Sequence, residues 1–387
     1  MKKLPKELEV ELKVPYLENA ERVDAIIGGG YWPTLFKLKD GSIAAVCRAG
    51  APHVGVNSRL EFIRSTDGGK SWKQSTAVPA IKGIDIRGSS SGVTADGTIV
   101  VAYWECDWFT SGKFDISKYE WETFYIYSTD NGKTWSKKIK MQIEKVKPVI
   151  YGRILAIDDK LSIMSIYGYL NGKAMADEHC CSMLLRSTDN GKTWGDLSVI
   201  AGGFNETTLM NMPDGRMLAI MRQEGRAIGV WQSESTDLGR TWSKPVQLTK
   251  AHQHPADLTL LKSGKLLLTY GNRIGDLVAG GMLSKDYGKT WDKKNRFIVE
   301  RETLVLKGKT WGDCGYPSTV QLEDGTIVTI CYKLGSSGLP EKEKEICLQH
   351  ERDAFRNPPA SEDMRRFEKG VVVRYTEEMI GKLLKRA

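Results

Sequence analysis

The sequence predicts an all-β fold, a six-bladed β-propeller of four-stranded antiparallel blades. Three observations carry that expectation. The motif S-x-D-x-G-x-[ST]-W recurs five times, closing on Trp72, Trp135, Trp194, Trp242 and Trp291. Six tight turns each separate two β-rich runs: Asp40-Gly41, Asp96-Gly97, Asp158-Asp159, Asp214-Gly215, Ser263-Gly264 and Asp324-Gly325. The 387 residues include 39 Gly and 11 Trp, which fits many turns and one repeated bulky side chain. Self-similarity at a regular period marks a solenoid, propeller or array, and antiparallel four-stranded units arranged radially make a propeller.

Each unit reads as strand A, a tight turn, strand B, a loop, strand C, the motif turn and strand D. The B strands are Ile43-Ala44-Ala45-Val46, Ile99-Val100-Val101-Ala102, Leu161-Ser162-Ile163-Met164, Met217-Leu218-Ala219-Ile220, Leu266-Leu267-Leu268 and Ile327-Val328-Thr329-Ile330. Asp-Gly between such runs is the strongest short hairpin signal. The C strands run directly into the motif, as Leu60-Glu61-Phe62-Ile63 does before Ser65. Inside the motif, Asp bonds backbone N–H groups of its own turn. Gly accepts a positive φ, and Trp buries against the turn. The sixth unit lacks the motif, and its later strands are expected at residues 346–348 and 371–373. Residues 8–14 alternate (Leu8, Val10, Leu12, Val14) and are expected to pair with the last blade and close the ring. A short helix is expected over 376–385, capped by Thr376. The whole of 1–387 is expected to form one domain.

Composition excludes several classes. No run approaches the roughly 18 apolar residues a membrane helix needs, so no membrane partner is expected. The N-terminal Met1-Lys2-Lys3-Leu4-Pro5-Lys6-Glu7 has no apolar centre, so a signal peptide is not expected there. Seven Cys, two of them adjacent at Cys180-Cys181 and none in a C-x-x-C spacing, fit a reducing compartment. A cytoplasmic location is expected, or a secreted one if a native leader is missing. The net charge of +8 is spread among interleaved acids, so nucleic acid is not an expected partner. No phosphate-binding loop or H-E-x-x-H occurs, and no metal or cofactor is expected. Oligomeric state is not legible.

Antiparallel strands put the starts of A and the ends of B at one rim near the axis. That rim collects Tyr31, Trp32, Arg48, His53 and Arg59, then Asp85, Arg87, Trp104, Glu105 and Asp107. It continues with Tyr151, Arg153, Tyr167 and Tyr169, then Asn205, Glu206, Arg222 and Arg226. His252, His254, Asp257 and Arg273, with Trp311, Asp313, Tyr316, Tyr332 and Lys333, complete it. Arg forks hold carboxylates bidentately, and aromatic rings stack on sugar faces. The partner these residues suggest is an anionic carbohydrate. Trp32, Trp104, Trp108 and Trp311 are the Trp residues placed to stack on it. The motif Asp residues lie on the far turns and read as structural.

The repeated motif and the blade count resemble the sialidase (neuraminidase) superfamily, also called BNR-repeat or Asp-box proteins, over residues 25–335. The segments Gly312-Asp313-Cys314-Gly315-Tyr316-Pro317-Ser318, His254-Pro255-Ala256-Asp257 and Asn205-Glu206-Thr207 resemble a poorly characterised bacterial branch of exo-α-sialidase type. The resemblance implies that Tyr316 is the nucleophile and Glu206 the base that activates it. A sialoside carries a carboxylate on its anomeric carbon, which would repel a carboxylate nucleophile. A neutral phenol avoids that repulsion, and its pKa of about 10 then demands a base within reach. The resemblance also implies that Arg222 and Arg273 hold the substrate carboxylate.

Two departures stand out. Tyr31-Trp32-Pro33 occupies the stretch where the family has Arg-Ile-Pro, so the first clamp Arg is missing. The loop over 49–59 carries no carboxylate, so the family's acid/base Asp is missing too. His53 is the expected replacement acid/base, since imidazole titrates at about pH 6.5 when unperturbed; Asp257 is a second candidate. Arg59 or Arg48 is the expected replacement clamp. Arg87, His254, Asp313, Trp32 and Tyr151 are expected to contact substrate. The leading expectation is a glycoside hydrolase acting on a terminal acidic sugar. The alternatives are a polysaccharide lyase using His254 and Tyr316 on a uronate, and a non-catalytic binding propeller.

Overall fold

The repeated turn is possible because two successive residues adopt positive φ. The pairs are Gly68-Gly69, Asn131-Gly132, Asn190-Gly191, Leu238-Gly239 and Tyr287-Gly288. Gly and Asn tolerate this conformation, whereas Leu238 and Tyr287 adopt it at a cost of about 1–2 kcal/mol each. The turn itself repays them. Each motif Ser donates its hydroxyl to the motif Asp and accepts the Gly N–H, as Ser187 does with Asp189 at 2.8 Å and Gly191 at 2.9 Å. The second Asp oxygen then takes the Thr or Ser hydroxyl at 2.6 Å in all five turns. The indole N–H of Trp72, Trp194 and Trp242 closes back on the Gly carbonyl at 3.1 Å.

A computed structural model describes residues 13–51, 53–107, 120–170, 180–223, 229–273, 277–302, 305–306, 309–310, 314–333, 342 and 368–386. It is all-β, a β-propeller-like arrangement of four-stranded blades. Strand β1 (Glu21–Ile27) precedes a sheet of β2 (Gly29–Lys37), β3 (Ile43–Ala49), β4 (Arg59–Ser65) and β5 (Lys73–Val78). Next come β6 (Asp85–Val93), β7 (Ile99–Asp107), β8 (Glu120–Ser128) and β9 (Ile139–Lys140). They share an eight-stranded sheet with β10 (Val146–Ala156), β11 (Ser162–Leu170), β12 (Cys180–Ser187) and β13 (Gly195–Gly202). The ladder joins these two antiparallel meanders through parallel pairing of β10 with β6, from Gly152–Ser90 to Leu155–Val93. Two further four-stranded sheets follow. One holds β14 (Phe204–Asn211), β15 (Met217–Gln223), β16 (Val230–Ser235) and β17 (Val246–Gln247). The other holds β18 (Gln253–Leu260), β19 (Leu266–Asn272), β20 (Leu277–Ser284) and β21 (Phe297–Arg301). A two-residue ladder joins β22 (Val305–Leu306) and β23 (Lys309–Thr310). The last sheet is β24 (Gly315–Gln321), β25 (Ile327–Lys333) and β26 (Lys369–Tyr375), completed by β1.

The strand that reaches back to the last sheet is thus Glu21–Ile27, paired antiparallel with β26. The expected partner at 8–14 lies almost wholly outside the described residues, and Val14 packs on Ile298 instead. The expected strand at 346–348 is also outside them, while 371–373 falls within β26. Helix α1 (Glu377–Arg386) starts with the Met379 N–H on the Thr376 hydroxyl at 3.2 Å, an N-cap bond.

The B strands are predominantly apolar because both faces are covered. Ala44 and Val46 of β3 face Ile99, Val101 and Tyr103, whereas Ile43 and Ala45 face Val328, Ile330 and Val372. Leu218 and Ile220 of β15 face Leu258, Leu266 and Leu268 in the same way. The motif Trp residues extend these cores outward, and Trp194 is buried among Val100, Met164 and Leu185.

Trp194→Ala is therefore expected to cost about 3–5 kcal/mol in equilibrium urea unfolding. Val246→Ala, at an exposed position, should stay within about 0.5 kcal/mol. The turns also predict an acid limb. Hydroxyls of Ser71, Thr134 and Thr241, then backbone N–H groups, hold Asp67, Asp130 and Asp237 below the usual carboxylate range, Asp130 at about 2. A carboxylate depressed on folding stabilises above its unfolded pKa of about 3.9 and loses that contribution as pH falls through its folded value. Thermal melts should show Tm falling steadily from pH 4 toward pH 2, with the limb reduced in an Asp67→Asn/Asp130→Asn/Asp237→Asn variant.

Candidate active site

The inner strands β2, β6, β10, β14, β18 and β24 share an irregularity near their starts. Each slips register against its neighbour: between Tyr31 and Thr34, Arg87 and Ser90, Ile150 and Ile154, Phe204 and Thr207, Gln253 and Ala256, and Gly315 and Ser318. A bulge re-aims the side chains at its kink. In β2 and β24 the kink residue is aromatic, has positive φ and precedes a proline: Trp32 at 49° and Tyr316 at 51°. Beneath Tyr316, Gly315 approaches the neighbouring blade so closely that a Cβ would lie 2.9 Å from the Gly271 Cα. Non-Gly residues held in this region are recurrent at functional sites, where the surroundings over-determine them.

The kinks gather Tyr31, Trp32, Tyr151, Tyr316 and Tyr332 into one buried aromatic cluster. Tyr316 lies 5.6 Å from Tyr151, 5.7 Å from Tyr332 and 6.4 Å from Trp32, ring centre to ring centre. Its hydroxyl donates to the Glu206 carboxylate at 2.5 Å. Arg222 spans both partners, bonding the other Glu206 oxygen at 2.7 Å and the Tyr316 oxygen at 3.4 Å. The Arg273 guanidinium lies 5.4 Å from the Tyr316 ring centre, and its Nε donates to the Cys314 carbonyl at 3.4 Å.

The electrostatics follow from burial. Burial first, then the Glu206 charge, push the Tyr316 phenol well above its ordinary value, against the opposing pull of Arg222 and Arg273. Burial and the same Glu206 charge raise Tyr151 as well. Burial works against the charge on Arg222, but Glu206 and Tyr316 outweigh it and hold the guanidinium firmly protonated. At neutral pH the arrangement is a phenol donating to a carboxylate that a cation also holds. Such a phenol becomes a nucleophile only as its proton passes to that carboxylate.

A BNR repeat-like domain matches residues 111–329 of the chain. The chain belongs to that family. A sialidase from Clostridium perfringens is 27% identical over 184 residues, which cover 42% of this chain and 47% of that protein. A sialidase from Paraclostridium sordellii is 24% identical over 217 residues, covering 50% and 52%. The chain thus spans about half the length of the curated relatives it matches. Among solved structures, a protein of unknown function from Dyadobacter fermentans superposes with a TM-score of 0.67 at 18% identity, covering 92% of this chain and 98% of that one. The intramolecular trans-sialidase from Ruminococcus gnavus gives 0.62 at 14% identity, covering 94% and 98%. The structural likenesses show the fold. The repeat domain and the two curated sialidases make the chain distantly similar to sialidases.

Several expected site residues of this BNR-family protein are committed elsewhere. Arg48 is fully buried and does not face the Tyr316–Glu206 pair with an open fork. It bonds Asp85 at 2.6 and 3.1 Å, and the carbonyls of Ala51, Gly55 and Ile86. Arg59 pairs with Glu61 on its own strand. Asp257 pairs with Arg153 and accepts the Thr319 N–H at 2.7 Å, so it is not a carboxyl group poised for acid/base work. Burial raises it above the usual carboxylate range, against the pull of Arg153. Arg87 lies against Trp32 and Trp104, 4.6 and 5.2 Å from their ring centres, and bonds Asp85 at 2.9 Å. Its second acceptor is the His53 carbonyl at 2.6 Å. The His53 ring meets Trp32 edge-on at 5.0 Å and Tyr31 edge-on at 6.0 Å, so it stands against the aromatic cluster. His254 is buried at the cis bond to Pro255. Asp313, Trp108, Trp311 and Arg226 lie outside the described residues.

The residue that sequence reasoning missed is Glu368. It accepts the Tyr31 hydroxyl at 3.0 Å and so orients the back of the cluster. It lies outside any motif and 337 positions from Tyr31, and no local signal marks it.

Asp85 is the hub on which this wall depends, holding Arg48, Arg87 and Ser58 while fully buried. Asp85→Ala leaves two buried cations without their counter-ion. It should cost about 3–5 kcal/mol in chemical denaturation.

Proposed function

We propose that this protein is a glycoside hydrolase of sialidase type that acts on a terminal acidic sugar. The observation that supports the reading best is the 2.5 Å bond from Tyr316 to Glu206, with Arg222 on both partners and Arg273 over the ring. In the first step the Tyr316 oxygen bonds to the anomeric carbon as its proton passes to Glu206 and the glycosidic C–O bond breaks. His53, on the Trp32 wall, protonates the departing oxygen. In the second step water attacks the same carbon and gives a proton to His53, while Tyr316 leaves and recovers its proton from Glu206. Arg222 and Arg273 hold the substrate carboxylate, and the aromatic cluster supplies the faces against which the ring stacks.

The blade count belongs to the same proposal. Counting the eight-stranded sheet as two blades gives six, with the five hydrogen-bonded motif turns as Asp boxes. The short parallel contact at Gly152–Leu155 joins inner strands at their bulges and does not merge the meanders.

Incubation with a fluorogenic α-sialoside tests the reading. Turnover is expected, and Tyr316→Phe should reduce kcat roughly 10³-fold or more. Glu206→Gln should reduce it about 10²–10⁴-fold, with both variants folded by circular dichroism. With a polyuronate offered in its place, products absorbing near the ultraviolet band of an unsaturated uronate would assign a lyase instead. Saturable sugar binding with no turnover in the native chain would assign a binding propeller.

A further inference from the structure

Arg153 and Asp257 lie one layer below the Tyr316–Glu206 pair and link strands that are not neighbours in the ring. Arg153 stands on β10, two residues after Tyr151. Its guanidinium bonds the Asp257 carboxylate of β18 and the Thr319 carbonyl of β24, and reaches the Leu258 carbonyl at 3.4 Å. The same Asp257 oxygen accepts the Thr319 N–H at 2.7 Å. Thr319 is three residues beyond Tyr316 on the same strand. One Arg and one Asp therefore clasp three inner strands immediately beneath the aromatic cluster.

The other reacting residue is tied to the same point. Glu206 precedes Thr207, whose carbonyl accepts the Ser165 hydroxyl at 2.6 Å. That hydroxyl also bonds the Tyr151 carbonyl at 2.8 Å. A Cβ on Gly152 would lie 2.6 Å from the Thr207 carbonyl, so β10 and β14 touch backbone to backbone here. Thr208 continues the chain of contacts to β18 through the Ala256 carbonyl at 2.8 Å. The strand carrying Glu206 is thus held to β10, and Arg153 holds β10 to the strand carrying Tyr316.

We infer that Arg153 and Asp257 are a positioning pair that sets the separation of Tyr316 and Glu206, and that Asp257 takes no part in proton transfer. The inference rests on the proposed roles of Tyr316 and Glu206 for its consequence in catalysis, but the geometry it concerns exists without substrate. A buried, bonded ion pair fixes a distance well because neither partner can leave without stranding the other. Reacting groups must be held within about 0.5 Å of their productive placement.

The test uses the full chain labelled with 13Cζ-tyrosine, with Tyr316 assigned by comparison with Tyr316→Phe. The variants are Asp257→Asn, Arg153→Lys and the double Arg153→Met/Asp257→Leu, which removes both charges and strands neither. In each folded variant the Tyr316 resonance is expected to shift or broaden, and its titration to fall, as the contact with Glu206 loosens. Arg153→Lys, which keeps the charge but loses the fork, should show the smallest change. Against a cleaved sialoside, kcat should fall roughly 10–100-fold with KM within about twofold, and both limbs of the pH profile should remain. A Tyr316 resonance unchanged in the double variant overturns the inference. So does loss of one pH limb in Asp257→Asn with recovery on adding formate, which would make Asp257 an acid/base group. A moved resonance in a chain that turns over no glycoside leaves the pair's role intact and removes the hydrolase reading instead.

Discussion

The kink near the start of every inner strand is the constraint on which the site depends. In a regular strand, side chains alternate between the two faces of the blade, and both faces here are filled by apolar neighbours. On the inner strands the ladder slips where the polar and aromatic site residues stand, and every inner strand has such a slip. Trp32 and Tyr316 adopt a left-handed backbone at those slips. The conformation is unfavourable in isolation, and it persists because the paired strands on either side leave no alternative path for the chain.

Buried charge then gives the rim its two layers. Arg48, Asp85 and Arg87 form one connected group on the β2–β6 side, and Arg153 with Asp257 forms another across the axis. These pairs are inside, bonded on several sides, and serve as fixed points. Arg222 differs, because its carboxylate partner also accepts the phenol of Tyr316. A charge shared between a cation and a proton donor can be redistributed as a reaction proceeds, whereas a charge locked among backbone carbonyls cannot. That difference in bonding separates the Tyr316–Glu206–Arg222 group from the paired framework of the rim, although both are built from the same residue types.

Much of the fold was legible because it rests on local chemistry. The Ser, Asp, Gly and Thr of each motif turn bond only to one another and to their own backbone, so their spacing announces the turn. The B strands are predominantly apolar because both faces are covered, and that run is visible in any window. The pairing of 21–27 with β26 was less legible, because it depends on where the chain enters the ring and not on a pattern within the segment. At the site, strand position and family likeness together pointed to Tyr316, Glu206, Arg222 and Arg273, which the fold brings into contact. The pairing of Arg48, Arg59 and Asp257 with other side chains was not legible, because position at a rim says nothing about whether a side chain's donors and acceptors are already taken.

The sequence by itself determined the repeating unit, the turns that bound it and the set of side chains delivered to one end. Those follow from interactions that reach only a few residues along the chain. Tertiary structure alone decided which Arg meets which carboxylate. Arg153 and Asp257 are separated by 104 positions, Tyr316 and Glu206 by 110, and Tyr31 and Glu368 by 337. Partners that distant are chosen by closure of the ring and by the bulges that aim each side chain across it, and neither is written in any single stretch of residues.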